Sequence, residues 1–303
     1  MNDLAEVQRN EAYEVIRPKD QKLPFVFASP HSGSDYPPDF VAESRLDAMA
    51  IRRSEDCFVH ELFSDAPRLG APLIHAIFPR AYLDPNREPY ELDPKMFSDP
   101  LPSFVNTRSA RVSVGLGTIA RVVSNGAEIY RRKLTFAEAE QRIDRLYFPY
   151  HAMIKQLLVA TRAKFGAAVL VDCHSMPSTG SAIEGDAGRR RCDIVLGDRF
   201  GTSCDPAVVD LAERHLIDMG FSVARNDPYA GGFVTQNYGR PTEGLHALQI
   251  EVNRALYLDE NAIARTPAMA EVTDRIGRLI RILGEVDAQA LGPPPQTFAD
   301  AAQ

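Results

Sequence analysis

The 303-residue chain has no stretch approaching the ~20 apolar residues that a membrane-spanning helix requires. Its start, Met1 to Glu6, has no basic region followed by an apolar run, so no secretory signal is expected. Cysteines are few, at positions 57, 173, 192 and 204, and none forms a C-x-x-C pair. A chain of this length needs no disulfide staples, and the four are expected as reduced thiols in a cytoplasmic protein. There is no basic excess either: 34 Lys and Arg against 41 Asp and Glu leave a net charge of −7. That balance argues against a protein whose main task is holding nucleic acid. Lysine is scarce, at 6 of the 34 cations, and the other 28 are arginine. Compositional bias accounts for the excess broadly, so arginine's aptitude for carboxylates has to be argued position by position. H-E-x-x-H, G-x-G-x-x-G and the P-loop pattern are all missing, and so is any internal repeat. With 45% hydrophobic and 25% charged residues, the chain is globular rather than disordered.

What is present reads as one α/β domain over residues 23–285, after a polar leader over 1–22 and before a disordered tail over 286–303. Phe25 to Ala28 is a short apolar run closed by a Ser-Pro-His-Ser-Gly turn, which predicts a strand. Apolar positions from Asp56 to Arg68 predict one helix stopped by Gly70. Strands are expected over 72–78 and 81–83, then a long loop from Glu88 to Ser109. Thr135 to Glu138 is a capping box that opens a helix reaching Phe165, with Pro149 expected to break or kink it. Ala167 to Val171 reads as a strand buried on both faces, and 193–196, 221–224 and 247–252 as further strands. Helices are expected from Pro206 to Gly220 and from Pro267 to Leu283. Strands alternating with helices predict a three-layer α/β/α fold around a central sheet.

Among the histidines, His60, His75, His151 and His215 lie inside regular patterns and read as packed or surface residues. His31 and His174 each follow a predicted strand directly, where open α/β sheets place their ligand crevice. An acid from the pair Glu55-Asp56 could join them. Two imidazoles and a carboxylate with a fourth position open to water make a catalytic zinc site; histidines that merely cap strand ends are the alternative. Asp172 would face the same side as His174 and could hold its second ring nitrogen, whereas Cys173 faces the other way as a small buried hydrophobe. Glu251 is an acid within an apolar strand. It could take a proton from an attacking water and pass it to a leaving amine, or it could be an edge-strand residue facing solvent. Asn86 and Arg87, after Asp84-Pro85, offer an amide and a guanidinium fork for a substrate carboxylate, or simply form a turn. Arg80 and Arg254 are flanking candidates, the first for the chemistry and the second for the substrate. Gly231-Gly232 reads as a plain flexible turn.

The segments 29–33, 55–56, 84–87, 172–175, 203–206, 231–239 and 246–251, taken in order, resemble the N-formylglutamate amidohydrolase family over roughly residues 24–260. The resemblance implies a zinc-exopeptidase-like fold with a mixed sheet between helical layers. It also implies one Zn²⁺ on His31, Asp56 and His174, with Asp56 preferred over Glu55 because the family pattern places aspartate there. Glu251 would be the general base and acid, and Asn86 with Arg87 would hold the substrate carboxylate. Two positions depart from histidine-degradation members: Phe233 stands where they have histidine, and Pro85 where they have leucine. The reading is therefore zinc-dependent hydrolysis of a small N-acyl amino acid, N-formyl-L-glutamate being the first candidate. A deacylase or carboxypeptidase with another substrate is the near alternative, and a non-catalytic binding protein on the same fold the distant one. The oligomeric state is open.

Overall fold

A computed structural model describes residues 5–181 and 186–293. Eight strands form one sheet: β1 (Ala5–Arg9), β2 (Tyr13–Pro18), β3 (Phe25–Ser29), β4 (Leu73–Ala76), β5 (Ala168–Met176), β6 (Ile194–Gly197), β7 (Val223–Arg225) and β8 (Leu245–Asn253). Their spatial order is β1-β2-β4-β3-β5-β8-β6-β7. The centre is parallel, from β4 through β3 and β5 to β8, and β6 runs antiparallel to β8. The sheet is thus mixed, as expected.

The helices are α1 (Pro38–Glu43), α2 (Val59–Leu62), α3 (Ala66–Leu69), α4 (Ala110–Ser113), α5 (Phe136–Arg142), α6 (Phe148–Phe165), α7 (Pro206–Asp218), α8 (Phe233–Tyr238) and α9 (Met269–Leu283). Alternation along the strands explains the layers. Val26, Ala28 and Leu170 face one core with Ile143, Tyr150 and Ile154 of the α5–α6 side. Phe25, Phe27, Val169 and Val171 face a second core with Val208, Ala212, Ile276 and Ile280 of α7 and α9. No helix among the described residues is long and apolar enough to cross a membrane.

Four expectations change. The stretch read as a leader over 1–22 contains β1 and β2, an antiparallel pair whose second strand docks along β4. Its polar composition misleads because an outermost strand buries little. The single helix over 56–68 is two four-residue helices, since Pro67 provides a new first turn for α3, which ends on Gly70 at φ 101°. Residues 81–83 form a turn rather than a strand. The interruption expected near Phe148 is present: a π-helical turn over Ile143–Tyr147 separates α5 from α6, which opens at Phe148 with Pro149 in its first turn. Of the expected tail, 286–293 is described, with Leu291 buried and its carbonyl facing His246 Nε2 at 2.9 Å; 294–303 lie outside the described residues.

Candidate active site

The carboxyl ends of β3, β5 and β8 lie side by side and carry the polar residues that the sheet interior lacks. In the parallel register of β5 and β8, Asp172 pairs with Gln249 and His174 with Glu251. Period-two alternation then aims all four side chains to one face, and Cys173 joins the opposite core. His31 follows β3 and packs its ring 4.8 Å from that of His174, centroid to centroid. Asp56 is brought in by its own backbone N–H, which donates to the His31 carbonyl at 3.0 Å.

Among the described residues, His31, Asp56 and His174 have potential ligand atoms within 4.8 Å of one another, and all three are buried. Asp56 Oδ2 lies 2.9 Å from His174 Nδ1 and 3.4 Å from His31 Nδ1. The outer ring nitrogens have their own acids: His31 Nε2 is 2.7 Å from Asp84 Oδ1, and His174 Nε2 is 2.9 Å from Asp172 Oδ1. The Asp172 contact is close enough for an ion pair but is not aligned as a hydrogen bond. The Asp84 carboxylate on the outer nitrogen of His31 favours the tautomer whose Nδ1 lone pair faces inward, as a metal-ligating histidine requires, and Asp172 puts negative charge beside the outer nitrogen of His174. His31 Nδ1 is buried with no hydrogen-bond partner, which is costly unless something else takes that lone pair.

The electrostatics agree. Burial disfavours charge on Asp56, yet hydrogen bonds and attraction from His174 and His31 hold its carboxyl well below the usual range. For Asp84, burial is outweighed by Arg80, His31 and Arg87. His174 is likewise disfavoured as a cation by burial and still lifted well above an ordinary imidazole, chiefly by Asp172 and Asp56. A site that holds a proton this firmly has the field to hold a divalent cation, and the donors fit one.

Of the acidic pair, Asp56 belongs to this cluster and Glu55 is engaged elsewhere. Its carboxylate accepts from Arg52 at 2.9 and 3.0 Å and from Tyr36 at 2.6 Å, pointing away from the imidazoles. Glu251 is on an interior strand, not an edge. Gln249 Nε2 donates to its Oε1 at 2.8 Å, and burial, only partly offset by His174, raises its carboxyl to about 7. Gly231-Gly232 is no loose turn. A Cβ on Gly232 would come within 2.6 Å of the Asn86 amide, and its N–H donates to Gln249 Oε1 at 2.9 Å.

A cavity of about 540 Å³ opens over these groups, and every residue singled out from the sequence except Asp172 contributes to its wall. Asn86 is held by the Val234 N–H on its Oδ1 (2.8 Å), which leaves its Nδ2 3.2 Å from His174 Nε2. Arg87 donates to the carbonyls of Asn86 and Leu116. Arg80 bonds Asp84 Oδ2 at 3.0 Å and keeps a quarter of its side chain exposed. Arg254, expected on the substrate, donates to Asp56 Oδ1 at 2.9 Å and to Ser175 Oγ at 3.1 Å. Phe233, the departure from the family pattern, packs against the His151 ring in the core and leaves the wall to the two glycines. Two residues that sequence reasoning passed over are Asp84, on His31, and Gln249, on Glu251. Gln249 follows the period-two logic applied to Glu251, whereas Asp84 follows a turn and has no spacing signal of its own.

The comparisons with known proteins agree with this geometry. The sequence profile of N-formylglutamate amidohydrolase matches residues 23–258. The N-formylglutamate deformylase of Pseudomonas aeruginosa is 30% identical over 271 residues, covering 88% of this chain and 94% of that protein. The crystal structure of N-formylglutamate amidohydrolase from Ralstonia eutropha JMP134 is 37% identical, covers 93% of this chain and 100% of its own, and superposes with a TM-score of 0.86. A gene product of Agrobacterium tumefaciens, 20% identical with a TM-score of 0.65, shares the fold over 90% of this chain and 95% of its own. Fold and relatives together define a hydrolase that acts on an amide bond and is built on a mixed sheet between helical layers. More narrowly, the chain belongs to the N-formylglutamate amidohydrolase family.

Proposed function

We propose that this site hydrolyses the formamide bond of N-formyl-L-glutamate, giving formate and L-glutamate, with one zinc ion held by His31, Asp56 and His174. The supporting observation is the inward-facing ligand set with Glu251 beside it in one cavity. Two imidazole nitrogens and one carboxylate oxygen, with room for water, suit zinc among the common divalent ions. When bound, the ion supplies Lewis acidity toward the formyl oxygen and lowers the pKa of water.

The chain's own groups do the rest. Glu251, with a carboxyl near 7, is matched to taking a proton from the attacking water and delivering it to the departing nitrogen. Arg80 lines the cavity beside Asp84 with a quarter of its side chain exposed, and it can balance negative charge that develops on the formyl oxygen. Arg87 and Asn86 would orient the substrate through its α-carboxylate, an entropic contribution to rate. Arg254 would act on Asp56, holding the carboxylate's second oxygen so that the first faces the imidazoles. We place the reaction in the cytoplasm, where four unpaired thiols persist.

Formate release from N-formyl-L-glutamate tests the reading, measured on metal-stripped protein before and after one equivalent of zinc. Restoration of turnover by zinc is the expected result. A metal-stripped protein that retains full activity would remove the metal from the proposal, and no release under either condition would remove the substrate.

A further inference from the structure

The cavity wall carries more positive charge than its own acids neutralise. Arg52 is held by Glu55, Arg80 by Asp84 and Arg254 by Asp56. Arg87 has committed two donors to backbone carbonyls, and its nearest carboxylate oxygen, on Asp84, is 3.7 Å away. Arg53 and Arg111 line the same cavity, and neither side chain has an ion pair or hydrogen bond among the described residues. Arg111, on α4, is near enough to Arg87 to act on it: burial first, then repulsion from Arg80 and from Arg111, outweighs the attraction of Asp84 and pulls the Arg87 guanidinium below its ordinary value.

Arg111 is not adrift on the surface. Ser109 caps α4 by accepting from the Val112 N–H at 3.0 Å, and its hydroxyl donates to the buried Glu91 carboxylate. On the other side, the Leu116 N–H donates to the Arg111 carbonyl at 2.9 Å, while the Leu116 carbonyl receives Arg87 Nε at 3.0 Å. The turn that carries Arg111 is therefore tied directly to Arg87. A guanidinium fork is shaped for a carboxylate, and two neighbouring cations with one acid between them gain most from an anion that reaches both.

We infer that Arg111 binds the side-chain carboxylate of the substrate, while Arg87 takes the α-carboxylate, so that the enzyme selects N-acyl derivatives of dicarboxylic amino acids. The inference rests on the deformylase reading and adds the residue that sets its side-chain preference. The pairing gives a role to an exposed, unpartnered guanidinium whose backbone turn is anchored through Ser109 and Leu116 beside the cavity. It also predicts discrimination against the uncharged isostere, because glutamine would leave Arg111 unanswered.

The test compares N-formyl-L-glutamate with N-formyl-L-glutamine on zinc-loaded wild type, Arg111→Ala and Arg111→Lys. In Arg111→Ala the ratio of kcat/KM for glutamate over glutamine should fall ten- to a hundredfold, mainly through KM for the glutamate substrate. Arg111→Lys should recover part of the ratio. An equal loss on both substrates, or an unchanged ratio, overturns the role of Arg111 while leaving the deformylase reading intact. No turnover of either substrate by wild type overturns both. Equal thermal midpoints for the three proteins confirm that the ratio reports recognition and not folding.

Discussion

The molecule contains two close histidine pairs, and only one of them belongs to the candidate metal-binding cluster. His60 and His75 stack with centroids 4.4 Å apart and ring planes 19° from parallel, closer than the 4.8 Å between His31 and His174. The difference lies in the acids. Asp56 sits between the inner nitrogens of His31 and His174, with Asp84 and Asp172 against the outer ones. Around the other pair, Glu14 is 3.6 Å from His75 and Glu61 is 4.0 Å from His60, too far to organise either ring. The consequences run in opposite directions. His174 is lifted well above an ordinary imidazole, whereas burial, with repulsion from His75, pushes His60 down to about 4. Proximity of imidazoles is common in a packed protein; carboxylates against the inner and outer ring nitrogens are what set this pair apart.

Removing one ring from each pair breaks the comparison most directly. His174→Ala should abolish the one tight equivalent of zinc and with it turnover, and His60→Ala should leave both in place; competition with a chromogenic chelator reads the first and formate release the second. Equal zinc loss in both variants would mean that the two pairs are interchangeable.

Glu251→Gln separates metal from chemistry. It should retain zinc and lose about a thousandfold in kcat, the range expected when a general base is removed. The wild-type kcat/KM should also fall as pH drops through about 7, because a protonated Glu251 cannot accept a proton, and Glu251→Gln should lack that limb.

A smaller effect is expected one layer out. Asp172→Asn keeps the shape but weakens the hold on His174 Nε2, and zinc affinity should fall about 10- to 100-fold. The same titration measures it. An unchanged affinity would mean that the aspartate only fills the strand end.

The smallest effect concerns the second pair and appears in stability. His60 titrates at about 4 in the folded protein against 6.5 for a free imidazole, so the unfolded chain takes up the proton first as pH falls. Folding stability contributed by the neutral ring is complete above 6.5 and is lost between 6.5 and 4, by about 1–3 kcal/mol. Denaturant unfolding of His60→Gln should show a shallower acid limb than wild type over that interval.

Much of the site was legible because its residues sit at ends of strands with an unmistakable apolar run. Phe25–Ser29 and Ala168–Met176 are buried throughout, so His31 and His174 stand out as polar residues in an apolar frame. Glu251 was legible on the same ground. Asp84 was not, because the contact that gives it meaning joins positions 53 residues apart and leaves no local spacing. Arg254 shows a different limit: the residue type announces a carboxylate partner, but only the fold says that the partner is Asp56. Arg111 lies on a four-residue helix with neither strand nor apolar stripe around it, and it is tied to Arg87 through Leu116.

The two strands over 5–18 carry a practical consequence for anyone shortening the chain. The family match begins at residue 23, and a cut made there would strip β2 from β4. Leu73, Ile74, His75 and Ala76 are buried in β4, so the cut would leave an apolar strand with one row of amide and carbonyl groups unpaired. Such an edge is a template for pairing with other chains, and the shortened protein should aggregate more readily than the full one. At present that border is β1, where Glu6, Gln8 and Arg9 face solvent. The hairpin thus works as a charged selvedge, finishing the sheet so that it does not add strands from its neighbours.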